Sequence, residues 1–122
     1  MIRSKTIALA LVASTLLAAP AFAHAHLKFA TPAQDATLEM PPSQLDLTFT
    51  EGLNLSFTGV ILTGPHKKVM ATGRERFAPG TDTTLAVPII DQLEAGTYTV
   101  QWHALSTDGH KSSGSYRFTV KP

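Results

Sequence analysis

A period of two governs most of this chain. "QLDLTF" (44–49) sets Leu45, Leu47 and Phe49 on one face, and "TTLAVPI" (83–89) does the same with Leu85, Val87 and Ile89. "GTYTVQWHAL" (96–105) places Tyr98, Val100 and Trp102 opposite Thr99, Gln101 and His103, and "SYRFTV" (115–120) turns Tyr116, Phe118 and Val120 inward. "FTGVILT" (57–63) is a further apolar run. Successive side chains of a strand point to opposite faces, so alternation of this kind buries one face of a sheet and wets the other. The runs are separated by turn formers: "TP" (31–32), "PP" (41–42), "TGP" (63–65), "APGTD" (78–82) and "TDGHKSSG" (107–114). Beyond residue 23 no segment holds a helical period for more than a turn or two. The pattern predicts an all-β fold, an immunoglobulin-like Greek-key β-sandwich of about seven strands in a single domain.

The first 23 residues follow a different rule. Arg3 and Lys5 precede the apolar run "IALALVASTLL" (7–17), and "AAPAFA" ends in small residues at Ala21 and Ala23. This is the form of a secretory signal cleaved after Ala23. The run is too short for a membrane anchor, which needs about 20 apolar residues. Residues 1–23 are therefore expected to be a cleaved leader and residues 24–122 the working domain, exported to the periplasm with no membrane span. Cleavage leaves 99 of the 122 residues, enough for one core.

The leader carries two of the ten basic residues and none of the nine acidic ones, so the remainder balances eight against nine. No basic stripe stands out, which excludes nucleic acid as the expected partner. There is no cysteine. The domain must rely on its core, and any metal would be held by nitrogen, oxygen or thioether.

All five histidines lie beyond the leader, and their placement is uneven. His24 and His26 stand at the start of the expected mature chain. His110 follows Asp108 across Gly109, a residue that permits a tight bend and lets a carboxylate and an imidazole face one ion. By itself "DGH" also reads as an ordinary turn with an exposed histidine. Cleavage adds to it: the freed amine of His24 and its own Nδ1 can close one chelate ring. His110 would then supply a third nitrogen and Asp108 an oxygen. Such a set in a tetragonal arrangement suits Cu(II), which the Irving–Williams order also favours; Zn(II) is the competitor.

A second copper mode is open to the same residues. An amine, two amide nitrogens and the imidazole of the third residue can wrap one ion, and His24-Ala25-His26 has that spacing. His26 is thus a possible ligand, a neighbour of the first site, or an exposed residue. His66 reads as a solvated turn and His103 as a residue on the sheet face opposite Trp102, with Trp102 itself in the core. Ser106, Ser112 and Ser113 lie near His110, but no nucleophile elbow accompanies them, and no glycine-rich phosphate loop is present.

"HAHLKFATPAQDATLEMPPSQLDLTFTEGLN" resembles the opening of the CopC family of periplasmic copper-binding proteins, in which an N-terminal histidine leads to a Thr-Pro pair and a strand ending F-[ST]-E. "LEAGTYTVQWHALSTDGHKSSGSYRFTV" is similar to that family's C-terminal half, with its G-T-Y-x-V-x-W strand and S-x-D-x-H loop. The likeness spans residues 24–120 and is greatest to small members of the YobA type. The resemblance implies a β-sandwich, a role in copper homeostasis and resistance, and one Cu(II) per chain on His24, Asp108 and His110. It also implies a CopD-type inner-membrane protein as recipient of the metal. Family members with a Cu(I) site carry a methionine-rich loop. The matching "ILTGPHKKVMATG" offers only His66 and Met70, so no dedicated Cu(I) site is expected.

A monomeric carrier that is not an enzyme is the expected outcome. The alternative is a copper-dependent oxidative enzyme of the kind that holds copper in an N-terminal histidine brace, as polysaccharide monooxygenases do. One tryptophan and two tyrosines leave little from which to build a flat aromatic binding face.

Overall fold

The computed structural model describes residues 24–122, so the leader expected at 1–23 lies outside the described residues. Among the described residues nine strands form two sheets: β1 (Leu27–Thr31), β2 (Thr37–Leu38), β3 (Gln44–Phe49), β4 (Gly59–Thr63), β5 (Val69–Met70), β6 (Arg76–Phe77), β7 (Thr84–Pro88), β8 (Gly96–Leu105) and β9 (Lys111–Val120). One sheet has the order β1-β3-β7-β6 and the other β2-β9-β8-β4-β5. All pairings are antiparallel except β2 with β9. The sandwich is as expected; the strand count exceeds the expected seven because β2, β5 and β6 are pairing segments of two residues each.

The alternating positions fill the space between the sheets. Leu45, Leu47, Phe49, Leu85 and Val87 come from one sheet, and Leu62, Tyr98, Val100, Trp102, Tyr116, Phe118 and Val120 from the other. Phe49 meets Trp102 edge to face across the gap, with ring centroids 5.1 Å apart. Each large apolar side chain buried in this way contributes about 1.5–3 kcal/mol. Ile89 lies beyond the end of β7 and keeps the inward parity, partly buried against the core.

β1 escaped the period-two reading for a physical reason. Its register with β3 shifts between Leu27 and Phe29, so the alternation is interrupted and Phe29 is 59% exposed. A bulge of this kind turns neighbouring side chains toward the same face.

Two features position the site. β8 and β9 form a hairpin of ten residue pairs in register from Gly96↔Val120 to Leu105↔Lys111, which leaves residues 106–110 as its tip. The segment after β3 runs beside that tip. The Asn54 amide donates to the Leu105 carbonyl at 2.8 Å, the Thr107 amide donates to the Gly52 carbonyl at 3.0 Å, and Leu53 bridges Ser106.

Candidate metal centre

The hairpin tip is organised around Ser106, which is 2% exposed. Its hydroxyl oxygen accepts the His110 amide hydrogen at 3.1 Å and lies against the Asp108 carboxylate and, at 3.2 Å, the His110 carbonyl. The Ser106 amide donates to the His110 carbonyl at 3.0 Å, and the Gly109 amide to the Ser106 carbonyl at 2.9 Å. Gly109 closes the bend at φ +93°, a conformation costly for any residue with a Cβ. The Asp108 Oδ1 is 3.1 Å from the His110 Nδ1. The Ser106 hydroxyl and then the His110 ring hold the Asp108 carboxyl below the ordinary carboxylate range. Both contacts use the Asp108 Oδ1, and the contact with the ring runs through the His110 Nδ1.

The other half of the site is the segment 24–26. Ala25 is fully buried, and its carbonyl accepts the Ser112 hydroxyl of β9 at 2.6 Å. The His26 amide donates to the Thr50 hydroxyl at 3.0 Å, and the Thr50 amide donates back to the His26 carbonyl at 2.9 Å. The Thr50 hydroxyl also reaches the His24 carbonyl at 3.4 Å. Segment 50–54 is therefore a common anchor: its first residue holds the N-terminal segment and its later residues hold the hairpin tip.

This arrangement brings His24 and His110, 86 positions apart, to a ring-centroid separation of 5.4 Å with planes at 68°. Two imidazoles sharing one ion through nitrogens about 2.0 Å from it place their centroids roughly 4–6 Å apart. The separation of His24 and His110 is of that size. His26 lies on the other side of His24, with centroids 6.1 Å apart. Among the described residues no group of three His, Cys, Asp or Glu side chains is already gathered as a metal cage. The side chains that do converge are two imidazoles with Asp108 beside one of them, and the donor chemistry fits Cu(II) once an amine nitrogen joins them.

The remaining histidines sit elsewhere. His103 is exposed on the outer face of β8, opposite Trp102, with its ring edge against Gly59 of β4. His66 is exposed in a short turn at φ 63°. Met70 is 8% exposed within the core, against Gly64 and close to Tyr98, and Met40 is 75% exposed. Thr50, Ser106 and Ser112 support the site without being among its expected residues. Ser106 had a local signal, a hydroxyl two residues before an Asp-Gly bend. The contacts of Thr50 and Ser112 span 24 and 87 positions and had none.

Comparison with known proteins agrees with this frame. A model of the CopC domain matches residues 27–121. The chain is 40% identical over 119 residues to the protein YobA of Escherichia coli K12, covering 98% of this chain and 96% of that one. It is 38% identical over 107 residues to the copper resistance protein C of Escherichia coli, covering 83% and 84%. The crystal structure of PcoC, a methionine-rich copper resistance protein from Escherichia coli, superposes with a TM-score of 0.73 at 33% identity, covering 81% of this chain and all of that one. On the family match, the near full-length likeness and the shared sandwich, this chain belongs to the CopC family of copper resistance proteins.

Proposed function

We propose that residues 24–122, released by cleavage after Ala23, form a periplasmic Cu(II) carrier or buffer that holds one ion per chain. His24 supplies its α-amine and Nδ1, His110 supplies Nε2, and Asp108 supplies Oδ2. Three nitrogens and one carboxylate oxygen suit Cu(II) in a tetragonal site and place it ahead of the other divalent first-row ions. His26 stands beside this set as a neighbour. The likeness to the CopC family makes a CopD-type inner-membrane protein the recipient of the cargo.

The juxtaposition of His24 with His110 is the observation that carries this reading. It brings the N-terminal segment against the β8–β9 hairpin, and segment 50–54 anchors both. Nothing in the packing of a sandwich requires its first residue to meet that hairpin tip.

The test begins with protein exported and processed by its own leader, its first residue fixed by intact mass. Cu(II) titration should retain one equivalent, with nitrogen couplings in the electron paramagnetic resonance spectrum. A form that keeps Ala23 should bind Cu(II) more than about 100-fold more weakly, because loss of a direct ligand exceeds the tenfold to 100-fold effect of an outer-sphere partner. Equal affinity of the two forms would remove the amine from the site.

A further inference from the structure

The start of the mature domain offers copper two modes, and the fold treats them unequally. In one, the amine and ring of His24 act with the hairpin tip. In the other, the amine, two amide nitrogens and the His26 ring wrap the ion without help from the rest of the molecule. The second mode needs the peptide nitrogen of His26 as a donor, and needs the Ala25–His26 peptide plane to swing around the metal.

That peptide unit is gripped at both ends. Its N–H is donated to the Thr50 hydroxyl at 3.0 Å, and its C=O accepts the Ser112 hydroxyl at 2.6 Å. Thr50 follows β3 in the four-stranded sheet, and Ser112 lies in β9 of the five-stranded sheet. The unit is thus strung between the two layers, with the Ala25 methyl fully buried beside it. The adjoining carbonyl of His26 is held by the Thr50 amide at 2.9 Å.

We infer that Thr50 and Ser112 are positioning residues that decide the copper-binding mode: they pin the Ala25–His26 peptide between the sheets, deny its nitrogen to the metal, and leave His24 to act with His110. This rests on the proposed Cu(II) site and specifies how the fold selects it. Forming the wrapped mode would break the bond to Thr50, release the amide proton to water as the nitrogen–metal bond forms, and pull Ala25 from its pocket. Each hydrogen bond forfeited disfavours that mode by about fivefold. Exposure of the Ala25 methyl adds to this in the same direction.

The experiment compares Cu(II) spectra of the processed protein, of Thr50→Val with Ser112→Ala, of Thr50→Ser, and of the free-amine peptide His-Ala-His-Leu-Lys-Phe as the wrapped reference. Amide nitrogens are strong-field donors, so the wrapped mode absorbs at shorter wavelength. The native protein should differ from the peptide, the double variant should move toward the peptide while keeping the far-ultraviolet signature of the sandwich, and Thr50→Ser should restore the native spectrum. A folded double variant with the native spectrum would overturn the inference and leave the Cu(II) site standing. A native protein that already matches the peptide would overturn the proposed site itself. Amide exchange in the metal-free native protein gives a reading independent of any variant's folding: the His26 N–H should exchange at least about tenfold more slowly than in the unfolded chain. Exchange at the unfolded rate would overturn the inference.

Discussion

Two pairs of soft or nitrogen donors in this molecule behave in opposite ways. His66 and Met70 are four positions apart, yet His66 is exposed in a left-handed turn while Met70 is buried in β5 opposite Leu62. His24 and His110 are 86 positions apart, yet their rings stand 5.4 Å from one another. The first pair is divided by strand parity: Met70 takes an inward position and the turn before it faces water. The second is joined because segment 50–54 binds both the N-terminal segment and the hairpin tip. Spacing along the chain is therefore a poor guide to convergence; what matters is whether the backbone carrying each donor is fixed to a common support.

The largest effect should come from removing one member of the converged pair. His110→Ala should weaken Cu(II) binding by more than about 100-fold, and His26→Ala by much less, measured by competition against a chelator of known affinity. The reverse order would mean that the N-terminal tripeptide binds alone, and the comparison between the two pairs would lose its functional content.

A smaller effect is expected from Ser106→Ala, which leaves every direct donor in place. Outer-sphere supports typically govern affinity by about 10- to 100-fold. The part-buried His110 amide would lose its acceptor, at a cost of about 0.5–1.5 kcal/mol to unfolding in urea. The Asp108 carboxyl should titrate higher in the variant, since the serine hydroxyl is the foremost cause of its depression. A depressed carboxyl stabilises the fold above its unfolded value, about 3.9, and this contribution is lost as pH falls through the lower folded value. In the metal-free variant that loss should be complete at higher pH and be smaller in extent. Carboxyl chemical shifts followed through an acid titration give the answer, and an unmoved Asp108 would separate Ser106 from the site.

The smallest effect on copper belongs to the divided pair. His66→Ala should leave Cu(II) affinity unchanged, and Met70→Ala should do the same while costing about 2–5 kcal/mol of stability through the cavity it opens. A clear loss of Cu(II) affinity in His66→Ala would show that the exposed turn takes part after all.

Much of the frame is legible in the sequence. Leu45, Leu47, Phe49, Leu85, Val87, Tyr98, Val100, Trp102, Tyr116, Phe118 and Val120 all fall inward as their alternation requires. β1 was not legible because its bulge interrupts that alternation, and β2, β5 and β6 because two residues cannot display a period. Within the site, "DGH" marked Asp108 and His110 as a possible bend. The grip of Thr50 and Ser112 on Ala25–His26 had no local trace, since a hydroxyl that supports a distant peptide looks like any other serine or threonine on a strand.

The sequence by itself determined the sandwich, its inward faces and the chemical kinds of donor available, because these follow from side-chain alternation and from which residues are present. Tertiary structure alone decided that the first histidine meets the hairpin tip and that Met70 turns inward. Those outcomes depend on hydrogen bonds and packing between segments far apart in the chain, and no local pattern encodes a contact whose two halves are written dozens of residues from each other.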